Sequence, residues 1–346
     1  MQTIDYNQVI KQAWEEFDDR HEIKSIYNVS AQVSTNQVYK VYFFKRNPVF
    51  VKLSDYGKFE HFKEDHIAIN NLANNLESPY ENFLARSLVK RNELFIYRYS
   101  QQSRSAWVVF YNPLKAKHMM PRRLEEFQIK KLGRELARFH KACANVSNQL
   151  PQASKNLVTD INQLIKNIKD NRLDISENHK DIVLRQCDIF LENTNLINLS
   201  DMEIIPVFVD WNIGNFSVTS EDRFFSRWDY DWFRQANRVM DFYFFSRVTS
   251  NIGDRTVFSY LIDPLMEDRF IMFLKEYHKI YPLTEPEVRL IQEAYRFFIL
   301  NYVIKDGNFF FRESYAQKLQ KEAFDVYFNA IDANYQVEKI FKALKM

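Results

Sequence analysis

The segment Pro206-Val-Phe-Val-Asp210-Trp-Asn-Ile-Gly-Asn215 ends an apolar run in an acid and places an amide five residues later, across Gly214. Fourteen residues past Asn215, the run Arg223-Phe-Phe-Ser-Arg-Trp ends in Asp229, with Asp231 just behind it. Asp241 then interrupts the apolar stretch Val239-Met240-Asp241-Phe-Tyr-Phe-Phe. Acids at strand ends sit at one sheet edge, where they can converge on a common ligand. A carboxylate, an amide oxygen and a second carboxylate form an oxygen-only donor set, which suits magnesium that also carries phosphate oxygens. Taken singly, each piece is ordinary turn chemistry. Their combination at short range points to phosphate chemistry.

Composition removes the commoner phosphate-binding devices. Only five glycines occur in 346 residues, the nearest two (Gly214 and Gly253) 39 apart, so the clustered glycines of a dinucleotide fingerprint, a Walker A loop or a glycine-rich kinase loop are missing. A nucleotide would have to be held by another device. Charge is balanced at 47 basic against 45 acidic residues, and no basic stripe or block marks a nucleic-acid or membrane-surface partner. Cys143 and Cys187 are too few for a disulfide framework or zinc cage, and the seven histidines form no His-x-x-x-His pair. The start is polar, and no apolar run approaches the eighteen or so residues of a membrane span. The expectation is a soluble, cytoplasmic protein.

Periodicity supplies the elements that must position these residues. Helical spacing over 4–18 gives way to alternation over 24–53, with a turn at Asn47-Pro48, and then to a second helix over 58–76. Strand-like runs follow at 93–99 and 106–111. Beyond Pro121 the period is helical (122–144, two segments in 155–200, one near 235, then 266–280, 285–304 and 314–342), interrupted by a short β-pair within 203–233. The expected class is α+β with two lobes: a small antiparallel-sheet lobe over 1–112, and a mostly helical lobe over 113–346 that carries the catalytic loop and acceptor pocket. Phe110–Pro113 should mark the crossover.

These residues resemble the aminoglycoside phosphotransferase and choline-kinase-like family, small-molecule kinases with a bilobal protein-kinase-like fold. That family's His-Gly-Asp-x-x-x-x-Asn segment corresponds to Phe208-Val209-Asp210 through Asn215, its strand-end Asp to Asp229, and its later helical Asp to Asp241. Leu132-Gly-Arg-Glu-Leu-Ala-Arg-Phe-His140 is similar to a family helix, Pro48-Val-Phe-Val-Lys52 to the strand bearing the phosphate-binding lysine, and Ser34-Thr-Asn36 to a glycine-poor nucleotide loop. The resemblance spans roughly residues 5–300. The departure is Phe208-Val209 in place of His-Gly, which bears on the backbone pose of the loop.

The resemblance implies an ATP- or GTP-dependent, magnesium-assisted transfer of the γ-phosphoryl group to a small-molecule hydroxyl. Asp210 would accept the hydroxyl proton, and Asn215 and Asp229 would hold magnesium. Lys52 would reach the phosphates, Glu64 would pair with Lys52 (Glu60 and Asp65 being the alternatives), and the Ser34 and Thr35 backbone would cradle phosphate. Asp241 would brace the catalytic loop. Asp231 reads equally as a supporting group or a solvated turn residue, His140 as a satisfied core histidine, and the aromatics near Phe110–Pro113 as an adenine slot. Residues 241–346 hold 14 Lys/Arg against 15 Asp/Glu, too balanced for a polycationic acceptor, so an amino alcohol, amino acid or sugar fits better than an aminoglycoside. The altered 208–209 pair keeps open an alternative, a catalytically inactive nucleotide- or metabolite-binding protein of the same fold. A glycoside hydrolase using Asp210 and Asp229 would leave Lys52 and Asn215 without roles.

Overall fold

The structure is a computed structural model that describes residues 4–31, 37–101, 104–173, 175–251 and 258–346. In the N-terminal part, strands β1 (Ile23–Asn28), β2 (Gln37–Phe43), β3 (Val49–Ser54), β6 (Ile96–Gln101) and β7 (Arg104–Tyr111) form one antiparallel sheet in the order β1-β2-β3-β7-β6. A two-residue pair, β4 (Val89–Lys90) and β5 (Glu93–Leu94), precedes β6. Helix α1 (Tyr6–Phe17), capped by the Asp5 carboxylate, covers one face of the sheet. Its Val9, Ile10 and Trp14 pack with Val41, Val49, Val51, Val108 and Phe110. Helix α2 (Phe59–Asn75) packs Ile69 and Leu72 into a different core, with Val109 and Tyr111.

Alternation along β3 therefore buries Val49, Val51 and Leu53 on the α1 side and turns Phe50 and Lys52 to the other face. Register places Lys52 between Val38 of β2 and Val109 of β7, in the middle of the sheet. Lys52 faces away from the apolar residues that flank it, as alternation predicts, but this second face is also covered: the Lys52 side chain keeps only 12% of its exposure.

The helical part is built on α3 (Glu126–Ser147), α4 (Leu157–Lys169), α5 (Glu177–Leu196), α6 (Phe242–Thr249), α7 (Asp268–Ile280) and α8 (Glu285–Phe298). Gly133 lets α3 lie directly on α7: a Cβ there would stand 2.5 Å from the Phe273 carbonyl oxygen. The helix expected over 285–304 changes to π-helical turns at Ile299–Lys305. The one expected over 314–342 is broken into Glu313–Glu322, a π turn at Ala323–Tyr327, Phe328–Asn334 and Val337–Leu344.

The β-structure expected within 203–233 is also present, with different partners. Strand β8 (Ile205–Val207) pairs with β11 (Arg234–Ala236), while β10 (Phe224–Arg227) folds back on β9 (Phe216–Val218) as a hairpin. The two runs read from the sequence thus belong to separate ribbons. The short 219–223 connection makes the β9–β10 hairpin the local solution. Among the described residues, no helix is long and apolar enough to cross a membrane.

Candidate active site

The loop between β8 and β9 carries Asp210 and Asn215. Its entry is unusual: Val209 has φ +60°, a left-handed conformation that β-branched residues rarely adopt. This is the position where the resembling family has glycine. The conformation is imposed from outside the loop. Asp241, fully buried, uses one carboxylate oxygen, Oδ1, to accept the N–H groups of both Phe208 (2.9 Å) and Val209 (2.7 Å). Its Oδ2 meets His140 Nε2 at 3.0 Å, and His140 Nδ1 meets the Tyr277 hydroxyl at 2.7 Å. Burial holds the His140 pKa below the usual imidazole value despite the Asp241 carboxylate. The neutral ring therefore donates Nε2–H to Asp241 and accepts from Tyr277. Helices α3 and α7 thus fix the acid that fixes the loop.

Within the loop, the Asn212 N–H donates to Asp210 Oδ1 (3.2 Å) and so orients that carboxylate. The Asp210 carbonyl accepts from Asn215 Nδ2 (3.4 Å) and from Arg227 Nη2 (2.7 Å). Trp228 N–H donates to the Asn215 carbonyl (3.2 Å), which ties Asn215 to the strand end leading into Asp229. Asp229 Oδ1 accepts the Asp231 N–H at 3.0 Å, a tight turn that projects two acids from one place. Asp210, Asn215, Asp229 and Asp231 are all half-buried.

Across the cleft, the Lys52 ammonium forms an ion pair with the Asp231 carboxylate. Burial lowers the Lys52 pKa, and the negative charges of Asp229 and Asp65 oppose that shift. The structure therefore brings the lysine of the sheet to the acids that follow β10. It does not bring Glu64 there. Glu64 Oε2 accepts from the Ser154 hydroxyl (2.6 Å) and backbone N–H (3.3 Å), while Asp65 pairs with Lys155 at 2.6 Å. Successive helical residues are turned about 100° apart, and it is Asp65 whose charge reaches Lys52. Asp231 takes the partner's place assigned to Glu64. Ser34 and Thr35 lie outside the described residues.

Asn215 and Asp229 offer one amide oxygen and one carboxylate. Among the described residues, no group of three or more His, Cys, Asp or Glu side chains could hold a metal ion. A cation at Asn215 and Asp229 must complete its shell with phosphate oxygens and water, and magnesium at phosphate sites characteristically binds this way. The donor set fits a metal that arrives with a nucleotide.

No protein-family model matches the chain, and no curated protein matches it. Solved structures do. The amicoumacin kinase hAmiN, in complex with AMP-PNP, Ca2+ and Ami, superposes with a TM-score of 0.64 at 13% identity, covering 96% of this chain and 95% of that one. A microcompartment-associated aminopropanol kinase gives 0.56 at 12% identity, covering 98% and 93%. The GDP complex of aminoglycoside 2'-phosphotransferase-IIIa gives 0.56 at 11% identity, covering 96% and 100%. The chain has the fold of the small-molecule kinases. Coverage of both partners is nearly complete, so this fold accounts for the helical lobe as well as the sheet.

Within the small-molecule kinase fold, sequence reasoning leaves one residue of the cleft undecided and misses another. Asp231 reads from the sequence equally as a supporting group or a solvated turn residue, and its ion pair with Lys52 decides for the former. Arg227 was overlooked although its signal was present: an arginine inside the aromatic run Phe224-Phe-Ser-Arg-Trp.

Proposed function

We propose that the protein transfers the γ-phosphoryl group of ATP or GTP to the hydroxyl of a small molecule. The observation that carries this reading is the meeting of Lys52 with the Asp229–Asp231 turn, beside a loop whose Asp210 is held at both its carbonyl and its carboxylate. Nucleotides bound to the structural neighbours, AMP-PNP in one and GDP in another, support a nucleoside triphosphate as donor.

In this reading Asp210 accepts the proton of the acceptor hydroxyl as its oxygen bonds to the γ-phosphorus and the bond to the β-phosphate oxygen breaks. The products are the phosphate ester, the nucleoside diphosphate and the proton. Lys52 exchanges Asp231 for polyphosphate oxygens. Asn215 and Asp229 would hold magnesium, which when bound neutralises the charge on the triphosphate. Asp241 keeps the loop in its left-handed entry, so that Asp210 need not reorganise during the reaction.

Several buried acids of the helical lobe are spent on internal partners. Asp160 binds Arg234 and Lys305, Glu287 binds Arg238, and Glu293 binds Arg296. This favours a weakly charged acceptor, such as an amino alcohol, amino acid or sugar, over a polycation. The test is ATP and GTP turnover across a panel of such alcohols, with Asp210→Asn as control. The substitution retains an oxygen for the Asn212 N–H, and turnover should fall by about 10²- to 10⁴-fold. Undiminished turnover in the variant would remove Asp210 from the mechanism.

A further inference from the structure

Arg227 closes β10 two residues before Asp229, and its side chain is fully buried. A guanidinium is among the costliest groups to take out of water, and its usual justification is a full set of hydrogen bonds. This one has no such set. Nη2 donates to the Asp210 carbonyl at 2.7 Å, while Nε and Nη1 make no hydrogen bond. What surrounds the cation is aromatic: its centre lies 4.6 Å from the Phe208 ring and 4.3 Å from the Trp211 ring. Both rings belong to the loop that carries Asp210. At longer range its charge is supported by Asp210, Asp241 and Asp229.

The backbone of Arg227 is anchored from outside that loop. Its N–H donates to the Phe83 carbonyl (2.7 Å), and its carbonyl accepts from Ala85 N–H (3.2 Å) and from the Tyr230 hydroxyl (2.9 Å). A side chain on so fixed a post can hold a neighbour in place. The neighbour it holds is the Asp210 carbonyl, one residue past Val209 and its left-handed φ.

We infer that Arg227 is a positioning residue for phosphoryl transfer: its buried guanidinium, stacked against Phe208 and Trp211, fixes the Asp210 peptide so that the carboxylate faces the acceptor hydroxyl. The inference rests on the function proposed above. It explains how a loop with phenylalanine and valine before its acid holds a catalytic pose. Asp241 secures the peptides on the N-terminal side of Asp210, and Arg227 secures the carbonyl on its C-terminal side. A charge-assisted bond is stronger than a neutral one, and the planar guanidinium matches the aromatic slot as an ammonium cannot.

The experiment compares Arg227→Met, which keeps length and apolar contact, and Arg227→Lys, which keeps charge without the planar fork. Each is measured for thermal midpoint, for stabilisation by magnesium and nucleotide, and for kcat and KM with the acceptor that the wild type turns over best. Displacing a catalytic group by about an ångström costs on the order of 100-fold in rate. Arg227→Met should therefore lose about that factor in kcat, with nucleotide stabilisation retained and both KM values within about three-fold. Arg227→Lys should recover only part of the loss. Loss of packing alone would lower the midpoint and leave kcat per folded molecule unchanged, and that result overturns the inference. So does a kcat within about three-fold of wild type in Arg227→Met or, should that variant not fold, in Arg227→Lys. A wild type that turns over no acceptor with either nucleotide overturns the proposed function instead, and this inference with it.

Discussion

Lys52 of the central strand and Asp231 of the turn after β10 form an ion pair that joins the two lobes. Their side chains keep 12% and 15% of their exposure, so the pair is largely, though not wholly, withdrawn from water. Lys52 also feels Asp229 and Asp65. A single ammonium is thus shared among acids, one of them a proposed metal ligand. Lys52→Met removes the cation that pairs with Asp231 and that the charges of Asp229 and Asp65 support. The expected result is a loss of about 1–3 kcal/mol of stability, less than for a fully buried pair because solvent screens part of it. Stabilisation by magnesium and nucleotide should vanish with it. Thermal shift with and without ATP checks both, and an undiminished nucleotide effect would separate Lys52 from phosphate binding.

Asp241 serves three donors from complete burial, and its two obvious replacements should differ. In Asp241→Asn, the amide oxygen can still accept from Phe208 and Val209, while the NH2 group faces His140 Nε2. The imidazole can meet it by changing tautomer and donating Nδ1–H to Tyr277. A cost of about 1–2 kcal/mol follows. Asp241→Ala leaves three buried N–H groups, the amides of Phe208 and Val209 and His140 Nε2–H, without acceptors and should cost at least about 4 kcal/mol, together with most of the activity. Urea denaturation of the two variants gives the comparison. Equal losses would mean that the charge of Asp241, not its geometry, is what the loop requires.

Gly133→Ala tests the contact between α3 and α7. Alanine is the better helix former by about 1 kcal/mol, so propensity alone predicts stabilisation. The added Cβ would meet backbone, however, at 2.5 Å from the Phe273 oxygen and 3.3 Å from its carbonyl carbon. Backbone cannot swing aside as a side-chain tip can, so α7 must shift. Overpacking of this kind costs about 1–3 kcal/mol. Net destabilisation, read from the urea midpoint, is the expected sign, with a further loss of activity because α7 carries Tyr277 of the Asp241–His140 chain. A more stable Gly133→Ala protein would show that the two helices can part freely.

How much of this was legible beforehand follows the range of the interactions. The segment from Asp210 to Asp229 is short, and its residue types alone suggested oxygen ligation; the alternation around Lys52 was equally local. The choice among Glu60, Glu64 and Asp65 was not local. It depends on the rotation of α2 against the loop at Ser154 and Lys155, which no helical pattern encodes. Asp231 stays undecided between a supporting group and a turn acid because its partner, Lys52, stands on another lobe. Arg227 broke the period-2 expectation, since Ser226 and Arg227 are both buried beside a β-bulge irregularity. The expected pairing of the two apolar runs failed because strand partners are a tertiary choice, and β8 found β11.

His66 gives the fold a pH dependence with a definite sign. It lies on α2, buried to 4% exposure, with Nδ1 2.7 Å from the Phe62 carbonyl. A carbonyl can only accept, so Nδ1 carries the hydrogen, and Nε2 is a buried atom without a hydrogen-bond partner. Burial, followed by the nearby Lys52 charge, lowers its pKa from 6.5 to about 3. Above pH 6.5 neither the folded nor the unfolded chain protonates this ring, and stability is unaffected. Between 6.5 and about 3 the unfolded chain binds a proton that the folded one refuses, so stability falls as the pH falls. At pH 5 the loss is about 2 kcal/mol relative to pH 8. His66→Phe removes the titration and keeps a ring against Phe62, so its urea midpoint should decline less steeply over the same range. The other histidines are common to both proteins and cancel in the difference. Parallel curves would mean that the folded protein accepts a proton at His66, and that the pocket beside Lys52 is open to water.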